Sequence, residues 1–127
     1  MRRNASAIIS RTMRHLMIER RKSPRFKIGV PVEIHTEGST APVHCATSDL
    51  SLGGCYIESM YPFPAGTCLD LKLEAAGTLL IAARVVTCDP QFGNGIQFLR
   101  ILREDRDTLI KFLDRVAKQD LAGTRRG

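Results

Sequence analysis

From Ile28 onward the chain breaks into short, β-branched or alternating runs: 29–35 (GVPVEIH), 41–48 (APVHCATS), 54–59 (GCYIES), 67–74 (TCLDLKLE), 78–88 (TLLIAARVVTC) and 94–99 (NGIQFL). The connections between them, such as Glu37-Gly38-Ser39-Thr40 and Ala75-Ala76-Gly77, are too short for crossover helices. The sheet must therefore be mainly antiparallel. Val30, Val32 and Ile34 alternate with polar neighbours, as do Leu69, Leu71 and Leu73, so each strand has one apolar face. Six such strands predict a small, mainly β fold, a six-stranded antiparallel barrel, because closing the sheet removes its edges. A change of period follows: Leu109, Ile110, Leu113, Val116 and Ala117 form a helical stripe over 104–119. Glu104, Asp105 and Asp107 stand in its first turn and Arg115 and Lys118 near its end, as the helix dipole favours.

At 127 residues there is room for one ordinary domain, which excludes a large multidomain enzyme. The net charge of +6 is unevenly placed. Residues 1–27 hold nine Lys/Arg and a single acid, Glu19, for +8; residues 28–127 hold ten bases and twelve acids, for −2. A basic leader thus precedes a nearly neutral domain. Within the leader, Ala5, Ile8, Ile9, Met13, Leu16 and Met17 share one face, predicting a basic amphipathic helix over 5–19 that ends before Pro24. The expected organisation is a helix at 1–19, an extended arginine-rich linker at 20–27, a β domain with its helix at 28–119, and a tail at 120–127. No apolar run reaches the length of a membrane span, and Ala5 to Ile9 is too short for a secretory signal, so a cytoplasmic protein is expected. The Arg- and Ser-bearing, acid-free start also has the composition of an organelle transit peptide.

Cys45, Cys55, Cys68 and Cys88 are widely spaced with no C-x-x-C pair, and His15, His35 and His44 are scattered. Buried free thiols in a reducing compartment are expected, and no metal site.

Two segments carry candidate chemistry. In Arg21-x-x-x-Arg25 the arginines of an extended chain stand roughly 13 Å apart, enough to grip two ends of a bulky anion. In Asp49-Leu50-Ser51-Leu52-Gly53-Gly54 an acid and a hydroxyl precede two glycines that admit close backbone approach. If 29–35 and 41–48 pair as a hairpin, Asp49 returns to the level of Arg25. Arginine pairs bidentately with phosphate or with guanine O6 and N7, whereas a carboxylate accepts from guanine N1–H and its exocyclic amine. Adenine offers the carboxylate no such pair of donors. Spacing alone leaves a second reading open, a basic linker and an Asx-type turn with no ligand.

The string Glu19-Arg20-Arg21-Lys22-Ser23-Pro24-Arg25, followed by Asp49-x-Ser51-x-x-Gly54, resembles the paired R-x-x-x-R and D/N-x-S-x-x-G signature of the PilZ domain family. Gly93-Asn94-Gly95-Ile96-Gln97-Phe98 resembles the G-x-G-V/I-x-F of that family's late strand, and the likeness extends over residues 19–117. The resemblance implies a split, six-stranded barrel and a non-catalytic receptor for the bacterial second messenger cyclic di-GMP, with no cofactor. It assigns Arg21 and Arg25 to phosphate and guanine Hoogsteen edges, Asp49 to a guanine Watson–Crick edge, and Ser51 to a phosphate or base. Gly53, Gly54 and Gly95 complete the ligand-binding set. Arg20 falls where arginine in the family accompanies an intercalated dimer of the ligand. The expected further partner is an effector protein of unidentified kind, and no specific nucleic acid. The family is bacterial, which weighs against the transit peptide.

Other classes fit less well. Ser51 has no activating base beside it in sequence and does not sit in a G-x-S-x-G elbow; His44 reads as a strand histidine. Glu104 and Asp105 read as a helix start. Gly93-x-Gly95 lacks the third glycine and the helix of a dinucleotide loop. The alternative function is a module that binds nucleic acid or an anionic membrane through the basic helix 5–19. Against it stands a helix that docks its apolar face on the barrel or on another chain.

Overall fold

The alternation read from the sequence decides which side of each strand is buried. The computed structural model describes residues 23–126, with side chains through Gln119. It contains strands β1 (Pro31–Thr36), β2 (Val43–Ala46), β3 (Asp49–Leu50), β4 (Gly54–Glu58), β5 (Cys68–Glu74), β6 (Thr78–Asp89) and β7 (Gly93–Ile101), then helix α1 (Arg103–Arg126). All ladders are antiparallel, in the order β2-β1-β5-β6-β7-β4-β3. Val32 and Ile34 of β1, Leu69, Leu71 and Leu73 of β5, and Leu79, Ile81, Ala83 and Val85 of β6 point to one side and form the core. Leu109 and Leu113 of α1 cap this core. At the start of α1 the Asp105 carboxylate accepts a bond from Leu80 N at 3.1 Å, tying the helix to β6.

The outermost strands of the ladder, β2 and β3, are joined through only Thr47 and Ser48. The sheet consequently curls until its two edges come together. Thr47 secures this crossing: it is buried, its hydroxyl donates to Ile28 O at 2.7 Å and accepts from Val30 N at 3.0 Å, and its own N–H donates to Val30 O. Ser48 N donates to Tyr56 O at 2.8 Å on the other edge.

Here the expected six-stranded split barrel is corrected in its strand count. The run 41–48 is a strand only over β2; the chain leaves β1 after Ala46, turns at Thr47 and Ser48, and the next two residues, Asp49 and Leu50, pair with β4 as the separate β3. This change of partner, just past the predicted run, makes seven strands. No ladder links β2 to β3, so the sheet is a curled half-barrel. The expected buried thiols are also corrected: Cys55 is buried, but Cys45 and Cys88 are half-buried and Cys68 is exposed. With Leu69 turned inward, the two-residue period of β5 turns Cys68 outward. The predicted helix 5–19, with Arg20 and Arg21, lies outside the described residues. Among the described residues no helix is long and apolar enough to cross a membrane.

Candidate functional site

The site begins with a single antiparallel bridge. Phe26 and Leu50 exchange both backbone hydrogen bonds, each at 3.0 Å. Leu50 is wholly buried and Phe26 packs on the core, so apolar burial fixes this pairing. In that register Arg25 lies opposite Ser51 and diagonal to Asp49, a separation that only a long side chain bridges. Arg25 does bridge it: its Nη1 donates to Asp49 Oδ1 at 2.8 Å. Among the described residues this contact uses one guanidinium nitrogen and one carboxylate oxygen, leaving Nη2, Nε and Oδ2 for further bonds. The arginine side chain is 53% exposed and the aspartate 26%, so the pair faces solvent.

The turn after Asp49 is held from within. Ser51 is buried; its N–H donates to Gly54 O at 2.8 Å, and its hydroxyl donates to the same oxygen at 3.3 Å while accepting from Gly53 N at 3.2 Å. Phe98 N donates to Gly53 O at 2.9 Å, pinning the turn to β7. Gly54 stands where a Cβ would meet Ile96 O at 2.2 Å, so only glycine lets β4 approach β7 this closely. Arg25, Ser51 and Gly53, with Ser23, Val86, Ile96, Gln97 and Phe98, line a cleft of about 360 Å³.

Arg25, Asp49, Ser51, Gly53 and Gly54 are thus brought together, as the hairpin argument predicts. Gly95 is set apart from that cleft. It pairs with Tyr56, donates its N–H to Thr87 Oγ1 at 3.0 Å, and has Thr87 Oγ1 only 2.4 Å from where a Cβ would be. Its missing side chain is accounted for by that threonine. His44 lies exposed on the edge strand β2 while the Ser51 hydroxyl is engaged in its own turn.

Two residues escaped the sequence reading. Tyr56 lies across from Asp49 in the β3–β4 ladder, and its hydroxyl donates to Asp89 Oδ2 at 2.7 Å. That hydrogen bond, with burial adding to it, pushes the phenol up to about 12. Asn94 is buried and holds the loop before β5 by both ends of its amide: Oδ1 accepts from Phe63 N, and Nδ2 donates to Phe63 O, both at 2.8 Å. An asparagine between two glycines at the head of a strand is the available signal for the second; nothing local marks the first. Burial pushes the Cys55 thiol up to about 12, away from the thiolate form.

Comparison with known proteins agrees with this fold. Solved structures of similar fold include the Escherichia coli YcgR complex with c-di-GMP (TM-score 0.68, 13% identity, 84% of this chain and 50% of that one). They also include the K. pneumonia MrkH–c-di-GMP complex (0.63, 18%, 84% and 55%). A third is the PilZ domain of CeSA from a cellulose-synthesizing bacterium (0.59, 20%, 75% and 99%). The chain therefore spans about half of the YcgR and MrkH chains and nearly all of the CeSA domain, and at these identities the likeness is one of fold. Among curated proteins no sequence match is found. The family model for the PilZ domain matches residues 19–115, most of the chain, and with the curled antiparallel sheet this places the protein in the PilZ domain family.

Proposed function

We propose that this chain is a non-catalytic, cytoplasmic receptor for cyclic di-GMP. The observation that carries the reading is the meeting of Arg25 and Asp49 beside a cleft floored by the Ser51–Gly54 turn. It supplies a cation for phosphate or the guanine Hoogsteen edge and, next to it, a carboxylate for the guanine N1–H and amine. Family membership supports it, as do the cyclic di-GMP complexes of YcgR and MrkH, proteins of the same fold. Arg21 joins Arg25 in gripping the ligand, and Arg20 favours an intercalated dimer of it. Ser51 serves through the turn it holds, presenting the backbone of Gly53 and Gly54.

The signal passes to an effector protein when nucleotide orders the 20–25 linker and shifts the orientation of the leader against the domain. Such a switch needs only that the ligand bind one arrangement more tightly than the other. Calorimetric titration with cyclic di-GMP, with GTP and cyclic di-AMP as controls, tests the reading. Saturable heat with cyclic di-GMP alone is expected, two nucleotides per chain if the dimer is bound. Absence of heat with cyclic di-GMP would overturn it.

A further inference from the structure

Residues 23–26 separate two surfaces. Arg25 faces Asp49 and the nucleotide cleft, whereas Pro24 and Phe26, one position to either side, line a different groove. This is the two-residue period of an extended chain. The groove, about 260 Å³, is completed by Leu52 and by Ile110, Leu113 and Ala117 of α1, with Asp114 at its edge. Those three α1 residues, at i, i+3 and i+7, form one ridge, and Ile110 is left 40% exposed.

The leader joins the described chain at Ser23, which lines both the nucleotide cleft and this groove; of the two, it is the groove that offers an apolar helix ridge. The leader's sequence carries the matching ridge, Ile9, Met13 and Leu16 at i, i+4 and i+7. A 15-residue amphipathic helix is marginal in water on its own and needs a surface for its apolar stripe. Only residues 20–23 separate the predicted helix 5–19 from Pro24, a linker that reaches about 18 Å at most. So short a tether confines the stripe near the groove at an effective concentration on the order of millimolar. Among the described residues Asp114 pairs with exposed Lys118, at 3.2 Å, a contact worth little, and it offers a carboxylate to the leader's arginines.

We propose that the groove between the 23–26 segment and α1 seats the apolar face of residues 5–19 of the same chain, helix ridge against helix ridge. The seat is that of the nucleotide-free protein. Limited trypsin digestion of the full chain tests it, because Arg11 and Arg14 lie within the docked segment. Cleavage after these arginines is expected to be at least about tenfold slower in the wild type than in Ile110→Asp or Ala117→Asp, independent of protein concentration. Met13→Asp, which alters no residue of the described fold, must release the same protection. Equal rates in the wild type and Met13→Asp would overturn the proposal. So would protection that appears only as concentration rises, which would place the leader on a second copy.

Discussion

Arg25 and Asp49 stand 24 positions apart in the chain and 2.8 Å apart in space, joined because the Phe26–Leu50 bridge brings the linker onto the edge strand β3. The pair is solvent-facing, so its net contribution to folding is small, about 0–1 kcal/mol. Its contribution to binding is expected to be much larger. Arg25→Ala or Asp49→Ala should weaken cyclic di-GMP binding by ~2–5 kcal/mol, because each removes a group desolvated in the complex. Calorimetry paired with thermal melts separates the two effects. Unchanged affinity in both variants would remove these residues from the site.

Gly54→Ala puts a methyl group 2.2 Å from Ile96 O, a backbone atom that cannot give way without moving β7. We expect a loss of about 1–3 kcal/mol in urea unfolding. Gly29→Ala is the control: its Cβ would meet Thr47 O at an ordinary 3.6 Å, and its effect should stay within about 0.5 kcal/mol.

Thr47→Val keeps the shape of the side chain and removes its hydroxyl. Val30 N then loses its acceptor and Ile28 O its donor at a buried crossing. The expected cost is roughly 1–3 kcal/mol in equilibrium unfolding. A neutral result would show that water replaces the hydroxyl there.

Tyr56 should ionise at about 12, against an ordinary value of 10.0, because its proton is held by Asp89. A raised folded-state pKa means stability that is complete below pH 10 and is lost as the pH climbs through about 12. Phenolate absorbance followed against pH measures this directly. Asp89→Ala should bring the transition down toward 10.0; an unmoved titration would mean the bond is not made in solution.

The burial of Val32, Ile34, Leu69, Leu71 and Leu73 follows from alternation alone, and the hairpin of β1 and β2 places Asp49 near Arg25. What sequence does not reveal is where a strand changes partner. The stretch Ala46-Thr47-Ser48-Asp49-Leu50 has no apolar period of its own, so the break that makes a seventh strand is set by distant groups, Ile28, Val30 and Tyr56. Tyr56 and Asp89 are likewise brought together across 33 positions by the register of β4, β7 and β6, which no local pattern encodes. Ile110 belongs by period to the buried stripe of α1 yet stands half in the open, because the sheet covers only Leu109 and its neighbours on the adjacent flank.

The short passage through Thr47 and Ser48 also sets a mechanical limit. Laid flat, seven strands spaced about 4.8 Å apart would hold the first and last some 29 Å from each other. The chain between Ala46 and Asp49 reaches only about 11 Å. The two edges of the half-barrel are tied by a covalent strap of fixed length, and no motion that keeps its ladders intact can unroll it. The rim carrying Asp49 and the turn after it therefore keeps its curvature whether or not anything is bound, and any movement made on binding is left to the segments that flank the sheet.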